Sequence, residues 1–335
     1  MDVTQTGRRL VAVGERGIII YSDDDGSNWT QSQVPLRVTL TAVTFPNPDS
    51  GWVVGHDSVV LHSSDRGESW QKVMDGCKIN QMMVTAMKVI IQQKRQQFEL
   101  ADESRKHELQ YVLEDAEFNL KGFMQTESEG PTKPLLDVFF FNQEEGLIVG
   151  AFGIILHTVD GGSSWTALLD RIENQNGYHF YALARTRGAL FLFGEAGIMF
   201  RSRDNGEHWE TLETVYEGSL FGAFANPESN CVVACGLRGN MITSCDGGES
   251  WRHQQVGPQS SLNAGVFLTP EQYLLTGMPA LVFTGRGLEK GARSIPTKFP
   301  GCMGVAISGD QHLVMVGLSG VLRMDLKHVI EKEVN

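Results

Sequence analysis

A chain of 335 residues, 41% hydrophobic and 20% charged, is globular in composition and too long for one ordinary core, which leaves two domains or one domain of repeats. Its formal charge of −12 disfavours a nucleic-acid phosphate backbone as partner, because that binding rests on clustered Lys and Arg. No apolar run approaches the ~18 residues of a bilayer span, and Met1-Asp2-Val3-Thr4-Gln5 lacks the basic-then-apolar pattern of a leader.

Taken in chain order, residues 1–5 supply a short inner strand, and Val13-Gly14-Glu15-Arg16-Gly17 ends a β-rich run in a turn. Ser22, Asp24, Gly26 and Trp29 then form a Ser-x-Asp-x-Gly-x-x-Trp motif. The second unit repeats the plan. Leu40–Phe45 is an inner strand, Pro46–Ser50 a turn, Gly51–Val54 a second strand and Val59–His62 a third. Ser63, Asp65, Gly67 and Trp70 close it, and Trp70–Val73 runs along the outer edge. Further copies fall at Thr158, Asp160, Gly162, Trp165; at Ser202, Asp204, Gly206, Trp209; and at Ser244, Asp246, Gly248, Trp251. The last two units keep the glycine marker at Gly277 and Gly317 but lack the aspartate motif.

From Cys77 to Lys121 there is neither glycine nor proline, and apolar residues at Met83, Met87, Ile90, Phe98, Ala101, Leu109, Val112, Ala116 and Leu120 follow helical spacing. An antiparallel helical hairpin with Asp102 or Ser104 as the second N-cap fits better than one helix about 60 Å long. Its apolar stripe serves mutual packing of the two helices or docking of a partner.

The marker glycines at 14, 55, 150, 194, 236, 277 and 317 are separated by 41, 95, 44, 42, 41 and 40 residues. Five of these steps match the 40–50-residue period of a four-stranded propeller blade, and the sixth is long by about fifty residues. The fold class is therefore all-β: a single seven-bladed β-propeller over residues 1–335, with a helical insertion at 77–125 between blades 2 and 3.

The five motif copies resemble the Asp-box, or bacterial neuraminidase repeat. The full blade pattern resembles the photosystem II stability and assembly factor-like propellers. That resemblance implies an exported, periplasmic protein with an upstream segment missing from this sequence, whose client is a membrane protein or its soluble segment. Asp24, Asp65, Asp160, Asp204 and Asp246 stand one per blade round the circumference and cannot converge on an ion or substrate, so they are structural turn residues. Trp29, Trp70, Trp165, Trp209 and Trp251 are likewise structural, wedged between sheets. No metal and no cofactor is expected. The five cysteines have no CxxC or zinc spacing; Cys231 and Cys235 are too far apart along one strand to bond, and all five read as buried free thiols.

Loops at the end where the inner strands begin are the candidate binding face. There the turns place Glu15, Arg16, His56, Asp57, Phe152, Glu195 and Arg238, and the connections add Arg37, Arg171, Glu173, Asn174, Tyr178, His179, Tyr216, Glu217 and Lys298. Arginines amid acidic residues suit an acidic or carboxylate-bearing protein segment. The enzyme alternative is a sialidase-like glycosidase, with Tyr216-Glu217 or Tyr178 and Glu173 as the activated tyrosine. Against it, the chain lacks an Arg-Ile-Pro segment ahead of the first Asp-box, since Arg293-Ser294-Ile295-Pro296 lies at the wrong end. Sialidases of that family are also six-bladed. The reading is a non-catalytic binding scaffold. None of His62, His107 and His157 has a carboxylate or cysteine partner at a telling interval.

Overall fold

The computed structural model describes residues 1–256, 260–269, 272–278, 281–286, 288, 293–294, 301–309 and 311–327. Its strands form seven antiparallel sheets, each in simple sequence order from an inner to an outer strand. The inner strands are Asp2–Thr6, Leu40–Thr44, Leu135–Phe140, Phe180–Arg185, Leu220–Ala225, Ser261–Phe267 and Gly304–Ser308. Each touches the next and the last touches the first, so they line a closed ring, the arrangement of a β-propeller. The second strands Arg9–Val13, Gly51–Gly55, Gly146–Gly150, Leu190–Gly194 and Val232–Gly236 are buried along their whole length. Neighbouring sheets cover both their faces, which is why they read as continuous apolar runs rather than alternating ones.

The first and last sheets meet through a core of Val3, Leu10, Ala12, Ala306, Val314 and Val316. Asp25 adds to that contact, accepting from Ser308 Oγ at 2.8 Å through its carboxylate and from Arg323 Nε at 2.8 Å through its carbonyl. Lys298 and residues 329–334 lie outside the described residues.

In every Asp-box the Ser or Thr hydroxyl donates to the aspartate and accepts the N–H of the motif glycine. The second aspartate oxygen bonds the side chain four residues on, from Asn28 in the first copy to Ser250 in the fifth. The bonds from Asn28 and Ser22 hold the Asp24 carboxyl down at about 2. The motif glycine seats the turn on the preceding sheet. At Gly162, φ is +79° and a Cβ would lie 2.1 Å from the Trp52 ring.

Two helices follow the outer strand of the second sheet: α1, Gly76–Leu100, and α2, Glu103–Glu129. Asp75 caps α1 by accepting the Lys78 N–H, and Asp102 caps α2 by accepting that of Arg105. Ile79 and Met83 enter the core between the second and third sheets. Farther out, Met87, Ile90 and Ile91 pack on Leu113, Ala116, Leu120 and Phe123, so this part of the apolar stripe packs helix on helix.

The cysteine reading needs correction. Cys231 and Cys245 form a disulfide, Cys77 is exposed, and only Cys235 and Cys302 are buried thiols. Val232 pairs with Ser244 across the second and third strands of the fifth sheet, so Cys231 and Cys245 are the next facing pair. A bond closing a loop of this size stabilises by about 3 kcal/mol. Cys245 is exposed, so a reductant reaches it. Dithiothreitol is expected to lower the urea midpoint of the native chain and to leave that of Cys245→Ala, already lowered, where it is.

Candidate binding face

Five turns between second and third strands share one geometry: Glu15–Gly17, His56–Ser58, Ala151–Gly153, Glu195–Gly197 and Leu237–Gly239. The middle residue of each lies in the left-handed region, with φ of 56° at Arg16, 58° at Asp57, 57° at Phe152, 53° at Ala196 and 56° at Arg238. In four of them, the N–H of the turn's first residue donates to the carbonyl just ahead of its own sheet's inner strand: His56 to Thr39, Ala151 to Pro134, Glu195 to His179 and Leu237 to Ser219. The turns therefore crowd the end where the inner strands begin.

On this end the predicted residues fall into three groups, with Arg238 apart. Arg16 and Arg37 stand together, because Gly17 donates to Val38 O at 2.7 Å and packs against Leu36 and Arg37. His179 meets the third sheet's turn: its Nδ1 accepts the Phe152 N–H at 3.1 Å and its ring lies 4.6 Å from that of Phe152. Glu195 Oε2 accepts the His179 N–H at 3.2 Å, and Tyr178 is tied to Asn174 by two bonds of 2.9 Å. His56 and Asp57 are exposed on the turn beside the base of the helices, where Ser58 Oγ donates to Lys133 O. Arg238 is exposed in the fifth sheet, away from the other two arginines. Among the described residues, the guanidiniums of Arg16, Arg37 and Arg238 make no ion pair or hydrogen bond.

Two predicted members lie elsewhere. The Arg171 guanidinium pairs with Glu207 of the fourth sheet's Asp-box turn, at the opposite end, and shares a cavity of about 400 Å³ with His208 and Trp209. Glu173 accepts from Thr211 on the fourth sheet's outer strand. The reason is local: Leu168 and Ile172, which flank Arg171, are buried in the core between the third and fourth sheets and hold the connection against the latter. His157 is a second correction. It is 6% exposed, with Nε2 3.5 Å from Glu145 and Nδ1 3.6 Å from Glu207, so it does have carboxylate partners. It occupies the third-strand position that Arg201 holds one sheet on, where Arg201 pairs with Glu210 and Glu249.

Sequence reasoning named Phe152 and His179 but missed the aromatic track they begin, and it missed two carboxyls. The Lys133 amine lies 4.9 Å over Phe152 and 5.4 Å over Phe123 of α2, and burial lowers its pKa. From Phe152 the track continues through His179 and Tyr181 to Phe221. Tyr181 and Phe221 line a central cavity of about 440 Å³ that also holds Asp2 and Asp137. By register, the ring position is Asp2, Ala42, Asp137, Ala182, Gly222, Ala264 and Gly304 in successive sheets. Small residues fill five of these places. The two aspartates stitch their sheet to the next: Asp2 accepts from Val43 N at 3.0 Å, and Asp137 from Leu183 N at 2.7 Å. Burial, and the nearby Asp2 charge, push the Asp137 carboxyl up to about 7.

Tyr216 is no activated nucleophile. Its hydroxyl donates to Leu237 O at 2.9 Å, accepts from Asn240, and burial pushes its pKa up. Among the described residues no helix is long and apolar enough to cross a membrane.

Comparison with known proteins places this architecture. The family model described as photosynthesis system II assembly factor Ycf48 matches residues 2–102 and 124–222, more than half of the chain. The photosystem II assembly lipoprotein Ycf48 of Synechococcus sp. (strain CC9902) is 31% identical over 128 residues, 37% of this chain and 38% of that protein. YkuO of Bacillus subtilis (strain 168) is 37% identical over 70 residues, 21% of this chain and 23% of that one. The aligned stretches thus span well under two thirds of either relative. A solved structure titled Ycf48 bound to D1 peptide superposes with a TM-score of 0.65 at 15% identity, covering 97% of this chain and 92% of that one, which speaks for the propeller fold alone. Blade pattern, Asp-boxes and the family match agree: the chain belongs to the Ycf48 photosystem II assembly factor family.

Proposed function

We propose that the chain is a non-catalytic scaffold, an assembly factor that holds an acidic or carboxylate-terminated segment of a client protein across the end where the inner strands begin. In this reading the seven sheets are seven blades, and α1 and α2 are an insertion between the second and third that borders the face. The observation that carries it is the contrast among arginines. Arg9 and Arg201 are buried and fully engaged by carboxylates, whereas Arg16, Arg37 and Arg238 are exposed on tied-down backbone and, among the described residues, unengaged. Rigid placement spares the ordering cost of binding, and each charge-assisted contact contributes about 1.5–3 kcal/mol.

The family and the names of the relatives support a protein client, a membrane protein or its soluble segment. The lipoprotein relative and the Cys231–Cys245 disulfide support an extracytoplasmic, periplasmic site, since disulfides persist in oxidising compartments. The sialidase-like alternative has no support from Tyr216, which is spent on backbone and amide bonds.

The test is titration with a labelled acidic peptide ending in a free carboxylate. Arg37→Glu with Arg238→Glu is expected to weaken binding at least ~10-fold, about 1.4 kcal/mol, without shifting the melting temperature. Full binding by that variant would reject the face.

A further inference from the structure

The outward side of α2 is a second surface, distinct from the one above. Leu109, Leu113, Ala116, Leu120 and Phe123 share its inner side, and four of these five pack against α1 or the sheet beside it. Tyr111 and Phe118 stand two positions beyond Leu109 and Ala116, about 200° round the helix, and point away. They are 63% and 72% exposed and seven residues apart, so they share one stripe. Between them lie Glu114 and Asp115. These carboxylates accept only the amides of Gln110 and Asn119, with no cation at ion-pair distance among the described residues. The whole helix carries seven carboxylates against three Lys and Arg. In α1 the balance is reversed, with Lys78, Lys88, Lys94 and Arg95 against Glu99. A cationic partner is therefore steered to the far side of α2 and away from α1. The family match stops at residue 102 and resumes at 124, so most of α2 is additional to the family pattern.

We propose that this stripe docks a basic segment of a partner protein, with Lys or Arg heads on Glu114 and Asp115 and their stems across the Tyr111 and Phe118 rings. The occupant follows from charge. A second copy would set α2 against an equally acidic α2, and an anionic lipid surface would meet the same repulsion.

Fluorescence anisotropy of the full chain with a labelled amphipathic Lys/Leu peptide, and with its Glu/Leu counterpart, tests the idea. The Lys/Leu peptide is expected to bind more tightly. Tyr111→Ser with Phe118→Ser should weaken it at least ~10-fold, and Glu114→Gln with Asp115→Asn should weaken it and flatten its salt dependence. All four side chains are exposed, so both variants keep the native melting temperature, and both keep their affinity for the acidic peptide of the previous test. That second affinity separates failure here from failure of the proposed function. Unchanged Lys/Leu binding in both variants would overturn the proposal, as would equal binding of the Glu/Leu peptide. A dimer in sedimentation that the ring variant abolishes would assign the stripe to a second copy, and flotation with anionic vesicles lost in that variant would assign it to lipid; either result also overturns it.

Discussion

Replacing Trp52 with alanine is expected to lower the stability of the ring by about 3–5 kcal/mol, the range for removing a large buried aromatic. The side chain is 2% exposed and joins the second sheet to the third. It stacks on Phe140 at 4.9 Å, meets Trp165 edge-on at 5.9 Å, and fills the hollow over which Gly162 turns. Truncation opens a cavity on which the third Asp-box can no longer rest. Trp52→Phe should cost much less, because it keeps the stack and removes an indole N–H that has no acceptor among the described residues. Urea midpoints of the two variants, read with the slope of each transition, check the ordering. Similar losses in both would mean that the inter-sheet seat is not the source.

The second large effect is a pH dependence centred on Asp137. An unfolded aspartate loses its proton near pH 4, whereas the folded carboxyl holds it to about 7. Between those values the folded state binds the extra proton. Stability therefore falls as pH rises, and the full loss is reached above pH 7. The displacement corresponds to about 4 kcal/mol at most. Asp137→Asn removes the titration at a cost. One of the two N–H groups of Val138 and Leu183 loses its acceptor, at about 1–3 kcal/mol. The native chain should thus be the more stable at pH 5 and lose that advantage by pH 8.5. Denaturant titrations at the two pH values test this, and parallel pH profiles would refute it.

Much of the architecture was legible because the chain marks it with residues whose backbone demands are strict. The Asp-box glycines need positive φ and a close neighbour, and the marker glycines end each second strand, so spacing alone counts the sheets. The Asp102 cap and the gap in glycine and proline frame the helices in the same way, while the Asp75 cap emerges only in the structure. What sequence order could not supply was juxtaposition across strands. Cys231 and Cys245 face each other only once the register of the fifth sheet is fixed. Asp2 and Asp137 gain meaning only when five other sheets set alanine or glycine in that place. Arg171 was assigned to the other end because its height depends on the burial of Leu168 and Ile172 between two sheets.

The five left-handed turns have an evolutionary consequence. Their middle positions carry Arg16, Asp57, Phe152, Ala196 and Arg238 at nearly one backbone angle. The conformational penalty of about 1–2 kcal/mol falls on unbranched side chains such as Arg, Phe and Ala to a similar degree, less on Asp and more on β-branched residues. Exchanging one head for another therefore leaves the ring's stability almost untouched while changing what one end of the molecule displays. The turns behave as interchangeable mounts, and a lineage could drift from one clientele to another through substitutions that folding does not select against.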